Sequence, residues 1–110
     1  MKNFLAIFTG SPEGMDQWKS LSAETRQQRE QAGMQAWQQW ATDHAKGIVD
    51  HGAPLGKTKR VTAEGIADIR NAMAAYTVVK AQSHEAAARI FENHPHFSIF
   101  PGDGVEIMEC

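Results

Sequence analysis

The sequence predicts one α+β domain whose elements run β-α-β-β-α-β and whose sheet pairs with that of a second copy. Three observations predict it: an apolar run at the start of the chain, a long helix-forming stretch with two tryptophans, and a second apolar run, Tyr76-Thr77-Val78-Val79, before a well-capped short helix. With 42% apolar and 22% charged residues, the 110-residue chain has ordinary globular composition. A domain of this size buries roughly two-thirds of the surface its unfolded chain exposes. Residues 1–110 are therefore read as a single domain with one modest core.

Asn3 to Phe8 is short, apolar and aromatic-rich and stops at Thr9-Gly10-Ser11-Pro12, which predicts a buried central strand followed by a turn. From Glu13 to Leu21, Met15, Trp18 and Leu21 are spaced three apart, the spacing of one face of a brief helix. Ser22 is a good N-cap and Glu24 suits the positive end of a helix dipole, so a long helix is predicted from there to Lys46. Met34, Trp37, Ala41, His44 and Ile48 form its apolar stripe, with Trp40 alongside. Gly33 interrupts the helix and predicts a kink or break, because glycine costs about 1 kcal/mol relative to alanine in a helix interior.

Gly47 ends that helix, Ile48 to His51 is compatible with extended chain, and Gly52-Ala53-Pro54-Leu55-Gly56 punctuates the chain before Lys57 to Thr62, an irregular edge strand whose lysines discourage stray pairing. Ala63 to Asn71 reads as a hairpin connection and Met73 to Ala81 as the second central strand. Ser83 caps a helix from His84 to Phe91 with Ala87, Ile90 and Phe91 as its apolar stripe, ended by Asn93 and Pro95. In the last strand, Val105 and Ile107 take one face and Glu106 and Met108 the other.

Right-handed crossovers in the two β-α-β halves place both helices on one side of a four-stranded antiparallel sheet. The other face, carrying residues such as Phe4 or Tyr76, needs a cover. A second copy of the same sheet supplies it, so a homodimer with a barrel-like interior is expected.

The net charge of −2, with Lys57, Lys59 and Arg60 as the one tight basic cluster, disfavours nucleic acid and anionic lipid as partners. The single Cys110 has no internal disulfide partner, and the apolar run at the start is too short for a secretory signal or a membrane span. Cytoplasm is the expected location.

Several strings, in this order and spacing, resemble the YCII-related family over nearly the whole chain. They are Met1-Lys2-Asn3-Phe4-Leu5, Trp37-Gln38-Gln39-Trp40, Gly47-Ile48-Val49-Asp50-His51-Gly52-Ala53-Pro54-Leu55, Tyr76-Thr77-Val78-Val79-Lys80-Ala81, and His94-Pro95-His96-Phe97 before Val105-Glu106-Ile107-Met108. The resemblance implies a ferredoxin-like fold, a dimeric α+β barrel, and a pocket between sheet and helices. It also implies, in enzyme-like members, an acid-base pair made by a histidine on the first helix and an aspartate before the late proline. Here the residue before Pro95 is His94, and Trp37 and Trp40 stand where the helix histidine is sought, with His44 further on. The pair is not preserved.

His94 and His96 would point the same way if the chain were extended there, and two imidazoles can flank a substrate or share a metal. Against this, His94 as a charged cap on a helix end and His96 bonded in the turn explain both residues structurally. His44 reads as a core histidine or as a proton carrier beside His94. Trp37, Trp40 and Phe91 read as core or as the walls of a ligand pocket, joined by His96 and by Tyr76 as a hydrogen-bond donor. No phosphate loop, nucleophile elbow or cysteine pair occurs. The expectation is thus a non-catalytic or small-ligand-binding accessory module that uses no cofactor and no metal. The alternative is a cofactor-free enzyme working on a small organic substrate, with His94 and His44 as acid-base catalysts.

Overall fold

A computed structural model describes all of residues 1–110. It contains strands β1 (Lys2–Gly10), β2 (Ile48–Pro54), β3 (Thr58–Thr62), β4 (Gly65–Ile69), β5 (Met73–Ala81) and β6 (Gly102–Glu109), and helices α1 (Pro12–Ser20), α2 (Ala23–Asp43), α3 (His84–Arg89) and α4 (Pro95–Ser98). Four strands form one antiparallel sheet in the order β2-β5-β1-β6, the ferredoxin-like arrangement. No helix is long and apolar enough to cross a membrane.

The period-two alternation of β1 and β5 decides where the core sits. Phe4, Ala6 and Phe8 of β1 and Thr77, Val79 and Ala81 of β5 are buried on one face, under Trp40 of α2, Ala87 of α3 and Phe91 just beyond it. Val105 and Ile107 pair with Phe8 and Ala6 and share that face. Leu5, Ile7, Tyr76 and Val78 alternate onto the other face, where they stay half-exposed, and Phe4 is not among them.

Ser22 and Ser83 start their helices as the sequence predicts, and Ser11, read there only as part of a turn, starts α1; each accepts a hydrogen bond from the backbone N–H three residues on. The expected kink at Gly33 does not occur. α2 runs through it unbroken, and Gly33 is buried because the Phe100 ring leans on it, so a Cβ there would lie 2.5 Å from that ring. Met34, expected on the buried stripe, is 60% exposed; Gly33, Trp37 and Trp40 face inward instead.

The edge strand also differs. Ile48–Pro54, not Lys57–Thr62, completes the sheet, because Ile48 pairs with Val79 and reaches the core whereas 58–62 has no apolar face to lay on it. β2 bends at two register shifts, where Gly52 adopts φ +73 and its N–H donates to the Asp50 carboxylate at 2.8 Å. β3 instead pairs with β4 in a separate two-stranded ribbon that turns at Ala63-Glu64, so part of the expected connection is itself a strand.

Candidate functional site

His94, the residue before the late proline, is 0% exposed. Pro95 opens α4, since proline's fixed φ suits the first helical turn, and His94 is the N-cap of that turn. The extended geometry expected for His94-Pro95-His96 is therefore absent. The Nδ1 of His94 accepts from the backbone N–H of His96 at 3.0 Å, which leaves the proton of the neutral ring on Nε2. The cap works through an uncharged imidazole at a helix start, not a charged one at a helix end.

Four aromatic rings enclose this imidazole. The ring centroids of Trp37 and Trp40 lie 4.4 and 4.5 Å away, both steeply inclined to it, and those of Phe8 and Phe91 at 5.0 and 6.0 Å. Burial in this apolar shell, followed by the nearby charges of His96 and His44, lowers the His94 pKa from 6.5 to about 3. Its Nε2 is buried without a hydrogen-bond partner. An unmade bond of this kind costs about 1–3 kcal/mol. Perpendicular packing of an imidazole on an indole is the arrangement in which an N–H can address a π face, which offsets part of that cost.

His96 is also buried, and its Nε2 donates to the carbonyl of Thr9 at 2.6 Å, tying α4 to the end of β1. The two histidines of the pair thus serve different local bonds. Nowhere do three histidine, cysteine or acidic side chains gather in a way that could hold a metal ion.

His44 closes the C-terminus of α2, half-buried, with its ring 5.5 Å from Trp40. His44 and His94 lie on the same side of the sheet and both touch Trp40, but no hydrogen bond joins them. The Trp40 indole N–H donates to the Ile90 carbonyl at 2.8 Å, so its polar atom is used within the core. Trp37, Trp40, Phe91 and His96 come together around His94 and Phe8. Tyr76 does not join them: it pairs with Ile7 on the opposite face of the sheet.

The interior around His94 is filled with rings, and none of the five main cavities is lined by it. A cleft of about 500 Å³ opens nearby, between α1, α2 and the segment 97–103. Trp18, Phe97 and Phe100 give it aromatic walls, and Arg29, Glu13 and Asp103 line it with charge. Arg29 forms no ion pair, whereas one carboxylate oxygen of Asp103 accepts from the Thr9 hydroxyl at 2.6 Å. Close packing shapes one wall, since a Cβ on Gly14 would lie 2.6 Å from the Pro101 carbonyl oxygen. The sequence reading missed this cleft. Its signals were Trp18 on the face of α1 and the small residue Gly14 in the same helix, but their meeting with Phe100 and Pro101 depends on the chain return some 80 residues later.

A solved structure supports the fold. The 5-chloro-2-hydroxyhydroquinone dehydrochlorinase of Burkholderia phenoliruptrix AC1100, in complex with 2,5-dihydroxybenzoquinone, superposes with a TM-score of 0.55 over 96% of this chain and 89% of that one, at 13% identity. Likeness at that identity defines a shared α+β fold. No family model and no curated protein matches the chain.

Proposed function

We propose that this chain is a YCII-like homodimeric module that binds a small cyclic organic anion, and that His94 serves its structure and not proton transfer. One observation carries the reading: the most perturbed ionisable group is sealed among aromatic rings and held neutral, while the aromatic cleft beside it carries an arginine with no ion-pair partner. A general base works best when its pKa is near the operating pH, and a value of about 3 is far from it. Arg29 suits a carboxylate or phenolate, and Trp18 and Phe100 suit the ring that bears it. The half-exposed face with Leu5, Ile7, Tyr76 and Val78 supports pairing with a second copy, which closes a barrel. A cytoplasmic location fits the same reading.

The test is a thermal-shift series with benzoate, salicylate and 2,5-dihydroxybenzoquinone on the native chain and on Arg29→Gln, with light scattering alongside. A ligand at one hundred times its Kd stabilises by about 2.7 kcal/mol, a shift of several degrees in a domain of this size. The reading predicts a shift that Arg29→Gln abolishes. A shift that Arg29→Gln leaves intact, or no shift with any of the three, counts against the cleft.

The unpartnered Nε2 of His94 favours a second reading, an enzyme acting on a small organic substrate, and the structural neighbour is itself an enzyme. In it the neutral ring donates a hydrogen bond to a substrate carbonyl that enters by displacing Trp37. Turnover of a quinol or quinone that His94→Asn abolishes while ligand binding persists would establish this reading over the first.

A further inference from the structure

No residue of the β3–β4 ribbon is fully buried. Thr58 is half-buried, the other nine of its ten strand residues are exposed, and its packing is with itself. The register places Lys59↔Asp68 and Val61↔Ile66 on one face. Val61 and Ile66 are 73% and 71% exposed, and beside them Lys59 and Asp68 neutralise each other in an ion pair of 2.6 Å. This is an apolar pair next to a self-compensated charge pair, a surface whose burial leaves no lone ion behind. A lone two-stranded hairpin is marginally stable in water and normally packs on something else.

We infer that the ribbon is an arm that clasps a second copy of this chain, lying against the beginning of the partner's β6. The inference rests on the homodimer reading above and adds the contact that orients the two copies. When two copies of a sheet stack by two-fold rotation, an axis parallel to the strands brings the β2 edge of each copy opposite the β6 edge of the other. An axis across the strands brings β2 opposite β2.

Charge selects between these arrangements. Of the chain's 11 lysines and arginines and 13 aspartates and glutamates, residues 57–70 hold four and two, so the arm is positive and the rest of the chain negative. β6 carries exposed Asp103 and Glu106 in its first five residues, Glu109 at its far end beside His84, and no basic residue. The strand-parallel axis sets the positively charged arm toward that acidic strand. The alternative axis sets the arm toward the other end of β2, where Lys46 and Lys80 lie. Like charges across an interface suppress the wrong pairing and opposite charges set the register. Because β2 and β5 lead directly into the arm at the end of the sheet where β6 begins, it is placed to reach the partner there. Five residues of strand extend about 16 Å, longer than the ~10 Å between stacked sheets.

Four proteins tested by sedimentation equilibrium and hydrogen exchange decide the matter: the native chain, the double variant V61K/I66K, the double variant K57E/R60E, and the charge swap that combines K57E/R60E with D103K/E106K. The expected results are a native dimer, a dimer Kd raised about tenfold or more in V61K/I66K, and a Kd for the charge swap nearer the native value than that of K57E/R60E alone. Amides of residues 58–69 are expected to be protected in the dimer and to exchange freely on dilution to monomer. A native dimer whose Kd is unchanged in V61K/I66K overturns the clasp and leaves the homodimer standing. A native chain that stays monomeric at micromolar concentration overturns both. Protection of 58–69 in the monomer shows that the arm needs no partner and overturns the clasp alone.

Discussion

Phe8 and Ile7 are consecutive residues of β1 on opposite faces of one sheet, and they sit in different media. Phe8 touches the rings of Trp37, Phe91, His94 and His96 and is wholly buried. Ile7 pairs with Tyr76 on a face that no helix covers and keeps part of its surface in water. Both faces are apolar by sequence, and both use residues of β1, β5 and β6. The helices alone make one a core and leave the other a surface, which shows that burial here is a property of what lies above the sheet. The same contrast separates the two kinds of histidine in the chain. His94 lies under the helices and cannot ionise near neutral pH, whereas His84 stacks on Phe4 at the domain surface, and its Nε2 donates to the Ile107 carbonyl.

Substitutions on the two faces should sharpen this contrast. The largest effect is expected for Phe8→Ala, which empties the centre of the aromatic cluster and should cost about 3–5 kcal/mol in denaturant unfolding. A loss below about 1 kcal/mol would mean that the cluster is not the core.

Next comes acid. Unfolded, His94 binds a proton near pH 6.5; folded, it stays neutral down to about pH 3, so the unfolded state binds more protons between those values. Its contribution to stability is complete above pH 6.5 and is lost as pH falls toward 3, by about 1.4 kcal/mol per pH unit for one proton. His94→Asn retains a capping acceptor without a titrating ring. Chemical denaturation at pH 7.5 and 5.0 should therefore show a smaller acid loss in the variant than in the native chain. Equal losses would place the His94 titration outside the folding equilibrium.

The smallest effect on the single chain is expected for Ile7→Ala, about 1 kcal/mol, because part of that side chain is already in water. The same variant should raise the dimer Kd measured by sedimentation. If Ile7→Ala costs the dilute monomer as much as Phe8→Ala, the open face is a second core and the contrast fails.

The sequence by itself determined the elements that depend on near neighbours. Alternation placed β1 and β5, and Ser22 and Ser83 marked the starts of α2 and α3, because capping and pleating act within a few residues. Pro95 was visible too as a stop for the helix before it, which does end ahead of it, but that it also opens α4 over His94 was not. The edge strand was misplaced for a related reason: Ile48–Pro54 and Lys57–Thr62 look alike locally, and pairing with Val79 tells them apart. Tertiary structure alone decided the candidate site. Trp37, Trp40, Phe91 and His96 were picked out by type, and packing drew them around His94 while the pleat sent Tyr76 to the other face. The cleft of Trp18, Arg29 and Phe100 joins residues from both ends of the chain. Contacts at that separation depend on how helices lie on the sheet, and no short-range pattern encodes it.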